Sequence, residues 1–157
     1  MLTLPRGVTE ESGKRFIYEK VNWILRTIQF FRRYGIPKGA ASRKRDAKVS
    51  YLQYRERARE IVTKRLTYFN NRYYGLEFNR VAIKNQKTQW GSCSSRKNLN
   101  FNYRIYFLPS HLLDYVVVHE LCHLKHFNHS NAFWNFVGES IPDYKERETD
   151  LRRFLLL

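Results

Sequence analysis

The segment Val116–Trp134, VVVHELCHLKHFNHSNAFW, limits the possible folds more than any other stretch of this chain. Val117, Leu121 and Leu124 recur at helical spacing, so the segment reads as part of a helix that opens at Pro109-Ser110 and runs through Val116 to about Lys125. Four of the five histidines of the chain lie within this stretch. His119 and His123 stand at i and i+4, one turn apart on a second face of the same helix.

His119-Glu120-Leu121-Cys122-His123 is an H-E-x-x-H pattern. Two imidazoles one turn apart can hold one Zn²⁺ at about 2.0–2.1 Å each. Glu120 is turned about 100° from His119, too far to chelate with both histidines. It is near enough to hydrogen-bond a water in the open position of the ion, which is where a general base works. A catalytic zinc needs a third protein ligand. His126 shares the helical side of His119 but lies roughly 10 Å further along the axis, out of reach of a shared ion. His129 follows Phe127-Asn128, where Asn can end a helix in the left-handed conformation. The chain can then fold back, so His119, His123 and His129 are the expected metal ligands. Zinc follows from ligand type, and Mn²⁺ or another divalent ion could substitute.

Composition narrows the setting. With 43% apolar and 16% aromatic residues in 157, the chain can bury one core of ordinary size, so one domain over 1–157 is expected. No run of about 18 apolar residues suggests a membrane span. MLTLPRGVTEE lacks the charged and apolar regions of a signal peptide. Two cysteines, Cys93 and Cys122, cannot make a disulfide framework, and a cytoplasmic location fits them. The net charge of +15, from 29 Lys and Arg against 14 Asp and Glu, favours nucleic acid or another polyanion as a partner.

Along the chain, residues 1–34 read as a strand end, Leu2–Leu4, and a helix capped by Thr9 with Phe16, Ile17, Val21, Ile24, Ile28 and Phe31 on its apolar side. Residues 35–50, GIPKGAASRKRDAKVS, read as a basic connector, more often a solvated loop than a binding element. A second helix is expected over about 51–73, with Ala58, Ile61, Val62, Leu66 and Phe69 on one stripe. RVAIKN (80–85) and LNFNYRIYFL (99–108) alternate as strands; the segment between, QKTQWGSCSSRKN, has a strand-like start and a polar turn near Ser95–Asn98, and an antiparallel hairpin is expected. In the second strand Asn100, Asn102, Arg104 and Tyr106 fall on the polar face. Asn100 and Asn102 then read as solvated unless that strand lines a cleft. Ser110 and Ser130 are expected to cap two helices, and a last helix begins near Asp143. The order indicates α+β with a small antiparallel sheet.

YVVVHELCHLKHFNHSNAFW (115–134) resembles the active-site block of the YgjP-like metallopeptidases, a zincin family with looser similarity to SprT-like proteases. KTQWGSCSSRKNLNFNYRIYFLP (87–109) resembles the family's other signature, and IPDYKERE (141–148) also looks familial. The resemblance implies a zincin-like α+β fold with the sheet packed on the H-E-x-x-H helix, and a catalytic core over 51–157. It implies zinc on His119, His123 and His129, Glu120 as the catalytic carboxylate, and a protein or peptide substrate. Gln89 stands where the family usually has Arg. The strands that usually precede the segment resembling LTLPRG are absent, which is expected of a shortened form with an unprotected sheet edge.

Other residues compete for roles. Cys93, in Trp90-Gly91-Ser92-Cys93, could be a nucleophile, but a packed thiol under the active-site helix is the better reading. Cys122 reads as a packing residue, and Phe133 and Trp134 as the anchors of the helix after Ser130. Arg104, Tyr106, His126 and Tyr144 are open candidates for an oxyanion partner. The strand ending near Leu108 could form the rim of a cleft and hold an extended peptide. Two other functional classes stay in view: a metal-dependent nucleotide or phosphoanhydride hydrolase, and a basic nucleic-acid-binding module with a structural metal site.

Overall fold

The computed structural model describes residues 44–154, together with Thr9–Glu11 and Lys14. The chain divides into two compact units, Met1–Ser42 and Arg43–Leu157. In the first, Glu10, Glu11 and Lys14 are helical, and Lys14 Nζ lies 2.8 Å from a Glu10 carboxylate oxygen one turn earlier. The strand end at Leu2–Leu4, the apolar stripe from Phe16 to Phe31 and connector residues 35–43 lie outside the described residues.

The second unit opens with helix α1, Lys44–Phe69. It starts earlier than the sequence suggests, because connector residues 44–50 are already helical. Tyr54, Ala58, Val62, Leu66 and Phe69 are its buried stripe, spaced by three or four residues as a helix burying one face requires. A π-helical turn, Asn70–Tyr74, follows, and Gly75 ends it at φ 59° with its N–H on Asn70 O. The left-handed φ is open to glycine at little steric cost. The Asn70 side chain then clasps Leu76, donating to its carbonyl and accepting from its N–H, both at 2.8 Å.

Strands β1 (Arg80–Lys84), β2 (Gly91–Cys93) and β3 (Asn98–Asn102) form one sheet in the order β1-β3-β2. The expected antiparallel hairpin is β2–β3, with Gly91 opposite Phe101 and Cys93 opposite Leu99. Its turn is closed by Ser94, whose N–H donates to Asn98 O at 3.0 Å, with Lys97 at φ 56°. The sheet is mixed rather than wholly antiparallel, because β1 pairs with β3 in parallel, Arg80 opposite Asn98. Alternation marks a strand but not its neighbour's direction; the 85–90 loop carries the chain across β3, so β1 and β2 flank it.

The strand read as running to Leu108 stops at Asn102. The Asn102 Oδ1 accepts the Arg104 N–H at 3.2 Å and starts a 3-10 turn, Tyr103–Phe107. A side chain bonding to the backbone two residues on competes directly with the strand ladder. Because β3 has a partner on both sides, it has no free edge to take up an extended peptide; among the described residues, the strand with an open edge beside the central helix is β2.

Helix α2, Ser110–Cys122, is that central helix. Leu112, Leu113, Tyr115, Val116, Val117, Val118, Glu120, Leu121 and Cys122 are all buried. It packs against α1, β2, α3 (Asn131–Gly138) and α4 (Tyr144–Phe154). Pro109, not Ser110, is its N-cap, while Ser130 stands at the N-cap position of α3 as expected but makes no side-chain cap bond. Arg65 of α1 holds Asp114 of α2 through two parallel bonds of 2.6 and 2.7 Å. No helix among the described residues is long and apolar enough to cross a membrane.

Candidate metal centre

The i, i+4 spacing on α2 places His123 Nε2 3.2 Å from His119 Nε2. The helix unwinds just after: Leu124 N–H bonds to Leu121 O, and His126 N–H to Cys122 O. The reversed chain returns His129 to the same point, its Nε2 3.0 Å from His119 Nε2. Each of the three residues offers one ligand atom, and these atoms lie within 4.8 Å of one another. His126 is differently placed. Its ring packs on Phe136, and its carbonyl meets His123 Nδ1 at 2.9 Å. A carbonyl only accepts, so the His123 proton sits on Nδ1 and its Nε2 lone pair faces the other imidazoles.

Aromatic rings fix this cluster. The fully buried Phe133 lies within 5.0 Å, centroid to centroid, of all three imidazoles. Trp134 stacks on His129 at 5.5 Å, and Tyr144 stacks on Trp134 at 5.1 Å. Phe133 and Trp134 therefore do more than anchor α3. They wall the histidines, a role that sequence spacing alone could not reveal. Of the four oxyanion candidates, only Tyr144 touches this wall. Arg104 lies over Tyr103, Tyr106 stacks on Tyr54 of α1, and His126 packs on Phe136.

Electrostatics favours the neutral forms of His119 and His123. Burial, then the neighbouring His123 and His129, push His119 down to about 3. Burial also lowers His123, partly offset by the His126 carbonyl. The His119 Nε2 carries one proton or one lone pair, so it cannot satisfy both of its close nitrogen contacts as full hydrogen bonds. A tetrahedral ion with bonds of about 2.0–2.1 Å needs its ligand atoms roughly 3.3 Å apart. Three imidazole nitrogens, two of them 3.0 and 3.2 Å from the third, fit a divalent cation.

Glu120 is 6% exposed, and burial pushes its carboxyl up to about 8. It shares with His119 an open cleft of about 260 Å³, walled by Trp90, Gly91, Val116 and Leu151. Gln89 also lines this cleft. Two asparagines of β3 brace the loop and strand beside this cleft. Asn102, 3% exposed, donates to Gln86 O at 2.8 Å and Gln89 O at 3.0 Å, pinning the loop before β2. Asn100 reaches Ser92. Three Asn in one short strand, where Asn is disfavoured, was the available signal. Cys93 is half-buried on β2, and burial followed by the Glu120 charge push its thiol up to about 11. That opposes a thiolate nucleophile at neutral pH. Cys122 is buried, and burial pushes it up to about 12, as suits a packing residue.

Comparison with protein families matches residues 34–154 to the family described as YgjP-like, metallopeptidase domain. The crystal structure of the metallopeptidase zymogen abylysin from Pyrococcus abyssi is similar, with TM-score 0.55 and 25% identity, over 60% of this chain and 95% of that one. The zymogen jannalysin from Methanocaldococcus jannaschii is 28% identical over 62% of this chain and 96% of its own, with TM-score 0.49. No curated protein matches.

Proposed function

Because this chain belongs to the YgjP-like family of metallopeptidase domains, we propose that it hydrolyses peptide bonds with one divalent cation, zinc by ligand type, held by His119, His123 and His129. The observation that carries this reading is the convergence of three imidazole nitrogens, 3.0 and 3.2 Å from a common His119 atom. A cation bound there would supply Lewis acidity, lowering the pKa of water and polarising a carbonyl.

The chain's own groups do the rest. Glu120, one residue after the first histidine and facing the same cleft, takes the proton of the attacking water and passes it to the leaving amine. The His126 carbonyl keeps the His123 lone pair turned inward. The substrate lies along β2. Asn102 N–H bonds to Trp90 O, and Ser94 N–H to Asn98 O. By the antiparallel alternation, the Gly91 and Cys93 backbone groups then turn to the open edge. An extended peptide adding there would lead its side chains past the cleft between Val116 and Leu151. That cleft, at about 260 Å³, is smaller than the ~300–1,000 Å³ that drug-sized ligands need, so it suits single side chains. The free thiols Cys93 and Cys122 suit a reducing cytoplasmic setting.

The test uses the zinc-loaded chain with casein, quenched fluorescent peptides and nucleoside triphosphates. Peptide hydrolysis is expected, and Glu120→Gln should retain the metal while losing about 10²–10⁴-fold in turnover. Triphosphate hydrolysis without peptide hydrolysis would overturn the reading.

A further inference from the structure

Gly91 sits in the middle of the Trp90-Gly91-Ser92-Cys93 segment, and the backbone does not require glycine there. Among the described residues, positive φ occurs only at Gly75 and Lys97. What Gly91 lacks is room. A Cβ placed on it would lie 2.5 Å from Glu120 Cγ, 2.8 Å from Cδ and 2.7 Å from Oε1. Carbon atoms in ordinary contact stand about 3.5–4.0 Å apart, so the whole arm of Glu120 occupies the space that any other side chain at 91 would fill. The arm has little freedom to yield. Glu120 is 6% exposed, and the residues on either side, His119 and Leu121, are fixed in a helix buried between α1, β2, α3 and α4.

We propose that Gly91 is the positioning residue for Glu120: the bare backbone of β2 is the bed on which the carboxylate arm lies, and it sets where the carboxylate meets the cleft. The proposal rests on the role given above to Glu120. It assigns β2 two tasks, with its open edge facing the substrate and its glycine face holding the base. It also gives the Trp-Gly-Ser-Cys segment a purpose that does not involve its thiol. An added methyl at 91 would tilt the carboxylate away, and because the three atoms nearest to it all belong to Glu120, the three imidazoles keep their places.

The experiment is a cycle of Gly91→Ala, Glu120→Ala and the double variant, with thermal unfolding of the metal-free protein and zinc content measured for each. Zinc-loaded Gly91→Ala is also assayed on a fluorescent peptide. Overpacking costs of the usual size predict that Gly91→Ala lowers the Tm by about 5–15 °C. In the Glu120→Ala background the same change should cost nothing, because the arm is gone. Gly91→Ala should bind zinc as the parent does, lose at least ~10-fold in kcat and change KM little. If Gly91→Ala does not fold alone, the double variant should fold. Equal destabilisation in both backgrounds, a double variant that fails to fold, or an unchanged kcat with zinc bound would overturn the proposal. A parent protein inactive on peptides would instead overturn the proposed function, and the unfolding cycle alone would then decide whether Gly91 beds Glu120.

Discussion

Glu120→Gln should make the metal-free protein more stable, and by an amount that depends on pH. The carboxyl is buried, and burial moves it from 4.5 up to about 8. Below about pH 4.5 it is protonated in both the folded and unfolded chain. Between 4.5 and 8 the unfolded chain releases the proton while the folded chain keeps it, so stability falls as pH rises. Above 8 the carboxyl is ionised in both states, and the cost is constant. The gap of about 3.5 pH units between 4.5 and 8 corresponds to about 5 kcal/mol at 1.36 kcal/mol per unit. This is an upper limit, because water entering the open cleft screens the charge. It is still comparable with the whole stability of a small domain, about 5–15 kcal/mol. His119 acts in the opposite sense, since its depressed value costs stability as pH falls from 6.5 toward 3, but that effect is common to both proteins and cancels in the comparison. Urea unfolding followed by tryptophan fluorescence, in chelator, at one-unit steps from pH 5 to pH 9 measures the difference. The Gln advantage should be small at pH 5, grow by at most ~1.4 kcal/mol per pH unit, and level off above pH 8. A constant difference across this range would show that the folded carboxyl titrates normally, refuting the link between its burial and its ionisation.

Metal analysis should show one zinc per chain, lost in His129→Ala and kept in His126→Ala, because only the first contributes its ring to the cluster; the reverse pattern would refute the ligand assignment. Asn102→Ala should lower stability by about 1–3 kcal/mol in chemical denaturation, since it removes a buried amide that ties the carbonyls of Gln86 and Gln89, and unchanged stability would show that water replaces the side chain at no cost. Binding to single- and double-stranded DNA should weaken steeply with salt, as a chain of charge +15 demands; replacing Arg43, Lys44 and Arg45 with Ala should reduce the slope, and no binding at low salt would remove polyanions from the list of partners.

What the sequence determined by itself was local. The i, i+4 histidines and the apolar run before them define a helix with two imidazoles on one side; the reversal that returns a third was expected at a left-handed Asn128, but the helix already ends at Cys122, and among the described residues only Gly75 and Lys97 have positive φ. These features depend on helix geometry and on residues within one or two turns. The β2–β3 hairpin and the stripe of α1 were legible for the same reason. Tertiary structure decided the rest. Alternation through Phe107 looked like one strand, but the Asn102 side chain captured the Arg104 backbone and ended it. No pattern in β1 shows that it would lie parallel to β3, because direction is set by which side of β3 the 85–90 loop reaches. Asn100 and Asn102 read as polar and therefore wet, yet both are buried, and their amides tie down Ser92 of β2 and the loop before it. Gly91 shows the division most sharply. In the sequence it is one small residue in a short strand, and only the packing of α2 against β2 brings Glu120 to 2.5 Å from the side chain it lacks. Spacing along one element is written in the chain, whereas the space between two elements exists only once they are packed.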